Sequence, residues 1–194
     1  KNNVVFTSGA TEANNLFIKN FNNIISSNIE HESIINSSNI SKINVTEEGY
    51  VDLNHLEHVA KNTKEKNTAL ISIMHANNET GIIQPLEAIV KISKKYKILF
   101  HTDAVQTVGR INVDFNNLGC DFLTLSSHKI GGPKGAGALV VKNKSNLKAF
   151  LSGGSQEYNL RAGTESLIAI AGFGKAASAN SLVKMKNIVK LRDS

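Results

Sequence analysis

The sequence has 194 residues, of which 41% are hydrophobic and 20% charged, a composition typical of one globular domain with a sizeable core. Its longest apolar runs, such as Ala69 to Met74, are far shorter than the ~20 residues of a membrane-spanning helix, so we expect no membrane span. The formal net charge of +6 comes from lysines spread along the chain without interleaved aromatic residues, which favours a solvated surface over bound nucleic acid.

The only cysteine of the sequence is Cys120, which therefore cannot form a disulfide within the chain. A chain without internal disulfides fits a reducing compartment, and we expect a cytoplasmic location. Cys120 precedes an apolar run, where free cysteines usually serve as inert packing residues, so we expect no catalytic role for it.

Short apolar runs alternate with amphipathic stretches, which is the pattern of βαβ units and predicts an α/β fold with helices on both faces of a mostly parallel sheet. The predicted strands are Val4–Thr7, Asn23–Ser26, Lys42–Val45, Ala69–Met74, Ile98–Thr102, Phe122–Ser126 and Ala138–Lys142. The predicted helices are Thr11–Lys19, Ser33–Ser37, Leu53–Lys61 with Asp52 as a candidate cap, Pro85–Tyr96, and a helix from Ser166 onward.

A turn of small residues, Thr7-Ser8-Gly9-Ala10-Thr11-Glu12, joins the first predicted strand to the first predicted helix. Small side chains let the backbone approach a ligand, and a helix N-terminus offers unpaired N–H groups and the positive end of the helix dipole. A phosphate is therefore the natural ligand of this turn. The alternative is that Ser and Thr serve here only as helix caps.

A carboxylate ends the fifth predicted strand, in the segment His101-Thr102-Asp103-Ala104-Val105-Gln106. Ligands of open α/β sheets bind at the carboxyl ends of the strands, so we expect Asp103 to face a site. The alternative for Asp103 is a helix cap. We expect His101 to be a strand residue on the other face of the sheet.

A lysine follows the sixth predicted strand, in Ser126-Ser127-His128-Lys129, just before a glycine-rich stretch from Gly131 to Gly137. The end of an apolar strand is an unusual place for a merely solvated amine, and the position indicates a nucleophile. The glycine-rich stretch lacks the spacing of a phosphate-binding P-loop and precedes a strand, so we exclude a nucleotide-binding loop.

Four elements, in this order, resemble those of a cysteine desulfurase of the NifS/IscS type, within the class-V aminotransferase family. They are Ala10-Thr11-Glu12, Ile29-Glu30-His31, the segment from His75 to Gly81, and Ser126 to Lys129. The similarity runs from Val4 to about Gly172. The segment Asn77-Asn78-Glu79-Thr80-Gly81 is similar to the NifS/IscS branch rather than to the SufS-like and selenocysteine lyase branch. The resemblance implies a three-layer fold of type I and pyridoxal 5'-phosphate (PLP) as the cofactor.

The resemblance implies two candidate catalytic residues, Lys129 and His31. Lys129 would hold PLP as a Schiff base and move a proton at the substrate, and His31 would stack on the cofactor ring. Asp103 would pair with the ring nitrogen, where a buried carboxylate favours the protonated form that PLP needs as an electron sink. Taken alone, a histidine such as His31 is more often an ordinary surface or core residue than a ring-stacking one.

Further cofactor-binding residues are implied by the same resemblance. The phosphate would be bound by Ala10, Thr11, Ser126 and His128. Asn78 and Gln106 would contact the ring substituents, and Thr164 would reach the phosphate of a neighbouring subunit. Tyr158 and Asn159 stand where many relatives have Arg-Gly, and this departure places the local turn and the reach of Thr164 in question.

The implied reaction removes sulfur from L-cysteine to give alanine and an enzyme persulfide, for iron–sulfur cluster assembly or tRNA thiolation. The implied partners are L-cysteine, a second copy of the chain in a homodimer, and a sulfur-acceptor or iron–sulfur scaffold protein. We expect no metal ion, no directly bound nucleic acid and no membrane. Two alternatives stay open: another class-V reaction, such as aminotransfer or elimination on a different amino acid, and a non-catalytic α/β binding module.

We expect the chain to be a fragment, with residues 1–175 as a PLP-binding large domain that is incomplete at its N-terminus. Residues 176–194 would begin a helix that leads toward a C-terminal domain outside the chain. In the family, the persulfide cysteine and the arginine that binds the substrate carboxylate lie in that later part. We therefore give Arg161 no such role and expect the chain alone to lack desulfurase activity.

Overall fold

A computed structural model describes residues 3–144, 147–179 and 182–194, and it contains one mixed sheet of seven strands. The strands are β1 (Val4–Thr7), β2 (Asn23–Ser27), β3 (Ile40–Ile43), β4 (Ala69–Ser72), β5 (Leu99–Asp103), β6 (Phe122–Ser126) and β7 (Gly137–Val141). Their order across the sheet is β1-β7-β6-β5-β4-β2-β3. The neighbouring strands β6, β5, β4, β2 and β3 are parallel to one another. Strand β7 is antiparallel to both of its neighbours, β6 and β1.

Seven helices accompany the sheet in the described residues: α1 (Ala10–Ile18), α2 (Glu32–Ile35), α3 (Leu53–Asn62), α4 (Leu86–Tyr96), α5 (Phe115–Leu118), α6 (Leu167–Ala179) and α7 (Leu182–Arg192). Asp52 caps α3 as predicted, because its carboxylate accepts hydrogen bonds from the N–H groups of Asn54 and His55. Pro85 is the N-cap of α4 rather than its first helical residue. The predicted helix from Ser166 onward corresponds to α6 and α7, and its residues 180 and 181 lie outside the described part of the chain.

The core has two main layers because consecutive residues of a buried strand point to opposite faces of the sheet. Ile25 and Ile71 pack with α3 and α4 on one face. Their chain neighbours Ile24 and Leu70 pack on the other face with α1, which contributes Phe17. The predicted α/β architecture with helices on both faces is therefore confirmed. No helix of the described residues is both long enough and apolar enough to cross a membrane.

Besides shifts of one or two residues at the ends of other elements, three details of the sequence-based prediction are wrong. The third strand lies at Ile40–Ile43 instead of Lys42–Val45, and Val45 makes only an isolated bridge to Val51. The four-residue helix α5 was not predicted. His101 does not lie on the opposite face from Asp103, because residues two apart in a strand share a face. Its ring centroid lies 4.0 Å from that of Phe17 of α1, the helix that also contacts Asp103.

A left-handed turn forms where the sequence departs from its relatives. Glu157, Tyr158 and Asn159 have φ values of 47°, 61° and 62°, a region that residues other than glycine rarely adopt. Asparagine is among the residues that tolerate this region best, so Asn159 can stand where many relatives have glycine. The turn also brings the Glu157 carboxylate to the edge strand β1, where it accepts a hydrogen bond from the Phe6 N–H at 2.7 Å.

We expect the replacement Asn159→Val to lower the free energy of unfolding by about 1–2 kcal/mol, because a β-branched residue is strained at this φ. The matched variant Asn159→Gly is expected to stay within about 0.5 kcal/mol of the wild type or to gain stability. Urea unfolding of the three proteins measures the difference. Equal stabilities for the valine and glycine variants would contradict the left-handed turn.

Candidate active site

A cavity of about 580 Å³ opens at the edge of the sheet where β1, β2, β4, β5 and β6 end and β7 begins. Its size falls in the usual range of ~300–1,000 Å³ for small-molecule sites. Nine of the ten predicted site residues line it: Ala10, Thr11, His31, Asn78, Asp103, Gln106, Ser126, His128 and Lys129. Residues that are more than 100 positions apart in the sequence are thus brought together in one site.

The N-terminus of α1 forms one wall of this cavity. Gly9 is the N-cap, so no side chain caps the helix, and the N–H groups of the first turn face the cavity at the positive end of the dipole. The Thr7 hydroxyl donates to the carbonyl of Gly9, and the Glu12 carboxylate accepts from the N–H of Ser8. Thr7 and Ser8 therefore do not act as the helix caps of the alternative hypothesis.

A glycine in β7 allows the turn before α1 to sit close to the sheet. Thr7 of β1 pairs with Gly137 of β7, and a Cβ atom on Gly137 would lie only 2.4 Å from the carbonyl carbon of Gly9. No real side chain fits at that distance. The close approach of the two backbones fixes the start of α1 beside the residues that follow β6.

Asp103 ends β5 with its side chain buried at 8% exposure and directed to the cavity. Its Oδ1 accepts from the N–H of Val105 at 2.9 Å, and its Oδ2 accepts from the Asn14 side-chain amide at 3.1 Å. Burial raises the pKa of Asp103, while these hydrogen bonds and the nearby His31 act in the opposite direction. Asp103 thus both organises the turn after β5 and presents a carboxylate to the cavity.

Lys129 lies in a short 3₁₀ turn, Ser127–Ile130, that follows β6 directly. Gly131 ends this turn in the left-handed region, and the hydroxyl of Ser126 is 3.0 Å from His128 Nδ1. Both Lys129 and a second amine, Lys134, line the cavity. Lys134 belongs to the glycine-rich stretch, and its place in the cavity was not predicted from the sequence.

The segment from Asn77 to Gly81 forms a turn that Asn77 holds together. Its Oδ1 accepts from the N–H groups of Glu79 and Thr80, each at 2.8 Å, and its Nδ2 donates to the carbonyl of Ile29 at 2.9 Å. These bonds explain why the side chains of two consecutive asparagines have different surroundings. Asn77 is buried in the turn and ties it to the segment before His31, whereas Asn78 lines the cavity.

Glu30 is a buried residue next to His31, and no role was predicted for it from the sequence. Both of its carboxylate oxygens lie within 3.0 Å of the N–H of Met74, and Oε1 also accepts from the Ser27 hydroxyl at 2.7 Å. Burial raises the pKa of Glu30 to about 8, although these hydrogen bonds act to lower it. The repulsion from Asp103 adds to the rise.

We expect the stability of the protein to fall as the pH rises from about 5 to about 8, in part because of Glu30. In this window the folded protein keeps the Glu30 proton, whereas the unfolded chain, with an ordinary pKa of ~4.3, has released it. The contribution is on the order of 3 kcal/mol. The replacement Glu30→Gln should remove this part of the pH dependence, and Glu79→Gln in the neighbouring exposed turn should not. Denaturant unfolding at about pH 5 and about pH 8 tests this. The same change in the free energy of unfolding between these two pH values in wild type and Glu30→Gln would contradict it.

Thr164 is the predicted site residue that lies outside the main cavity. It lines a separate cavity of about 140 Å³ beside Ser8, Gly135 and Arg161. Arg161 is bound to Glu12 through its Nε at 2.7 Å, so its charge is already paired. Burial raises the pKa of Glu12, but the hydrogen bonds from Arg161 and Ser8 outweigh it and lower the pKa overall. The role of Thr164 across a subunit contact stays a prediction.

Cys120 is buried, and burial raises the pKa of its thiol to about 12. A thiol in this state supplies little of the thiolate that acts as a nucleophile. The side chain packs instead in the core layer with Ile98 and Phe100. The expectation that Cys120 is a packing residue is confirmed.

Fold and site together define an α/β protein in which a lysine, a buried carboxylate and an uncapped helix N-terminus face one cavity. The model of the aminotransferase class-V family matches residues 1–194. The cysteine desulfurase IscS of Dictyoglomus turgidum is 43% identical, over 98% of this chain and 51% of the relative. The mitochondrial cysteine desulfurase of Saccharomyces cerevisiae is 41% identical, over 90% of this chain and 38% of the relative.

The fold of this chain is also similar to solved structures of related proteins. A NifS-like protein from Rickettsia africae has a TM-score of 0.88 and 43% identity, over 97% of this chain and 52% of that structure. A structure described as SspA in complex with cysteine has a TM-score of 0.83 and 32% identity, over 97% of this chain and 60% of that structure. The chain belongs to the class-V aminotransferase family. The relatives and the solved structure to which it is similar are described as cysteine desulfurases and as a NifS-like protein. The chain spans about half the length of the curated IscS relative from Dictyoglomus turgidum.

The cofactor of this family is PLP, and the residues of the cavity fit it. An amine for its aldehyde, a carboxylate for its ring nitrogen and helix N–H groups for its phosphate all line the same space. One buried polar atom of the site, Asn14 Oδ1, has no hydrogen-bond partner among the described residues. Such an atom is satisfied when a ligand or water supplies a donor.

Proposed function

We propose that the protein containing this chain is a cysteine desulfurase that uses PLP to remove sulfur from L-cysteine, giving alanine and an enzyme persulfide. The observation that carries the proposal is the meeting of Lys129, Asp103 and the N-terminus of α1 in one cavity. The relatives named cysteine desulfurase and the related structure in complex with cysteine support L-cysteine as the substrate.

When bound, PLP supplies an electron sink for the bonds at the substrate Cα. Lys129 would hold the aldehyde carbon covalently through Nζ, and the freed Nζ would then take and return the proton at Cα. Asp103 would face the ring nitrogen and favour its protonated form. His31 would lie over the ring.

The phosphate and the ring substituents would be bound by residues from four segments of the chain. The first turn of α1, with Ala10 and Thr11, would donate backbone N–H groups to the phosphate, and Ser126 and His128 would add side-chain hydrogen bonds. Asn78 and Gln106 would contact the ring substituents. Thr164 would contribute from the neighbouring subunit of a homodimer.

We further propose that residues 1–175 form the cofactor-binding domain and that residues 176–194 lead toward a further domain. The persulfide would form on a cysteine of that domain, because the only cysteine of this chain is buried in its core. The persulfide sulfur would pass to an acceptor or scaffold protein for iron–sulfur cluster assembly or tRNA thiolation. We propose a cytoplasmic location; the relatives include both bacterial and mitochondrial enzymes.

The test is product analysis with the full-length protein, PLP and L-cysteine in the presence of a reducing thiol. We expect alanine and sulfide in equal amounts, and no sulfide from this chain of 194 residues alone above the rate of free PLP. Transfer of the amino group to a 2-oxo acid without release of sulfide would favour the alternative class-V reaction. A folded protein without a PLP absorbance band would favour the non-catalytic binding module.

A further inference from the structure

A chain of hydrogen bonds connects Asp103 to His31 along the wall of the cavity, which all four residues of the chain line. The side-chain amide of Asn14 donates to Asp103 Oδ2 at 3.1 Å and to the Ser33 hydroxyl at 2.8 Å. The Ser33 hydroxyl lies 2.8 Å from His31 Nδ1, and the Ser33 N–H donates to the same Nδ1 at 3.1 Å. Asn14 is fully buried, so both of its donors are committed to these two partners.

The direction of each bond follows from the number of donors. An amide nitrogen carries two hydrogens, and here one meets a carboxylate oxygen, which only accepts when ionised, while the other meets the Ser33 oxygen. The single hydrogen of the Ser33 hydroxyl is then left for His31 Nδ1. A backbone N–H can only donate, so the Ser33 N–H also requires Nδ1 to be an acceptor. Two independent donors therefore point at one ring nitrogen.

We propose that Asn14 and Ser33 are positioning residues that hold neutral His31 in the tautomer with the proton on Nε2. The nitrogen that remains for a ligand in the cavity is then a hydrogen-bond donor, and it would recognise an atom with a free lone pair, such as a sulfur or oxygen of the substrate. The proposal deepens the function proposed above and rests on it for the identity of the ligand. The tautomer itself depends only on contacts within this chain.

The tautomer can be measured by long-range ¹H–¹⁵N correlation on protein labelled with ¹⁵N-histidine, without cofactor and above the ordinary histidine titration at pH ~6.5. The variant His31→Gln assigns the signal among the six histidines of the chain. We expect the Nε2–H form of His31 to exceed the Nδ1–H form by about tenfold or more, since each net hydrogen bond shifts such a ratio severalfold.

The variant Ser33→Ala removes the hydroxyl but keeps the backbone N–H, and it should lower the tautomer ratio severalfold. Ser38→Ala, an exposed serine that follows the same helix, is the matched control and should leave the ratio unchanged. A dominant Nδ1–H form in the wild type, or an unchanged ratio in Ser33→Ala, would overturn the assignment.

The link from Asn14 to Asp103 has its own readout. The variant Asn14→Ala removes a donor to the carboxylate, and we expect the affinity for PLP, measured by absorbance titration, to fall roughly tenfold. Wild-type affinity in a folded Asn14→Ala protein would overturn this part. If the wild type does not bind PLP at all, the proposed function fails, whereas the tautomer result, obtained without cofactor, stands or falls separately.

Discussion

We expect the replacement Lys129→Ala to abolish the covalent capture of PLP. The structure places the Lys129 amine in the cavity with Asp103 and the N-terminus of α1, so its loss removes the group that would bond the aldehyde. The measurement is the visible absorbance band after addition of PLP, followed by borohydride reduction and mass mapping of the modified peptide. In the wild type, the modification should lie on the peptide that contains Lys129.

Lys134 provides the matched control for this experiment because it is a second amine in the wall of the same cavity. We expect Lys134→Ala to keep the absorbance band and the modification of Lys129. A band that persists in Lys129→Ala and disappears in Lys134→Ala would reverse the assignment of the two lysines. A band that survives in both single variants would indicate adventitious reaction with surface amines.

The second large effect is expected for Asp103→Asn in the full-length protein. Asparagine has nearly the same side-chain shape as aspartate and can accept the hydrogen bond from the Val105 N–H. It cannot place a negative charge beside the ring nitrogen. Loss of one such preorganised charge should slow formation of alanine from L-cysteine by roughly 100- to 1,000-fold. PLP should still be captured, because Lys129 and the phosphate-binding turn are unchanged.

Asp114→Asn is a suitable control, since Asp114 caps the short helix α5 away from the cavity and asparagine can also cap a helix. We expect its rate to equal that of the wild type. A near wild-type rate in Asp103→Asn, with PLP bound, would show that Asp103 serves only the local turn.

The sequence predicted the seven strands and the main helices well because both faces of this sheet are buried. Strands covered on both sides consist of nearly continuous apolar residues, and such runs are visible without any structure. In the described part of the chain, the misplaced third strand is at the edge of the sheet, where β3 pairs only with β2 and three of its four residues are partly or fully exposed. With weak burial, the apolar pattern no longer fixed the ends of the strand. Helix α5 is too short to show a helical period.

The site was predictable where its residues follow directly from strand ends, as for Asp103 and Lys129. Asn14 and Glu30 were missed because their function depends on partners distant in sequence: Asn14 contacts Asp103 and Ser33, and Glu30 contacts Met74. One signal was available for Asn14. It occupies a position on α1 between Ala10 and Phe17, where the helical period predicts an apolar residue.

The placement of β1 has a consequence for how the protein is made. Among the described residues, this strand pairs only with β7, the last strand of the sheet in chain order, through contacts such as Val4 with Val140. On a ribosome that adds ~5–20 residues per second, about 130 further residues must emerge before β1 has a partner. β1 must therefore wait for several seconds for its partner, and the cofactor site can be completed only after β7 has emerged. Pairing over such long sequence separations is intrinsically slow, so we expect acquisition of the cofactor to come late in the folding of this sheet.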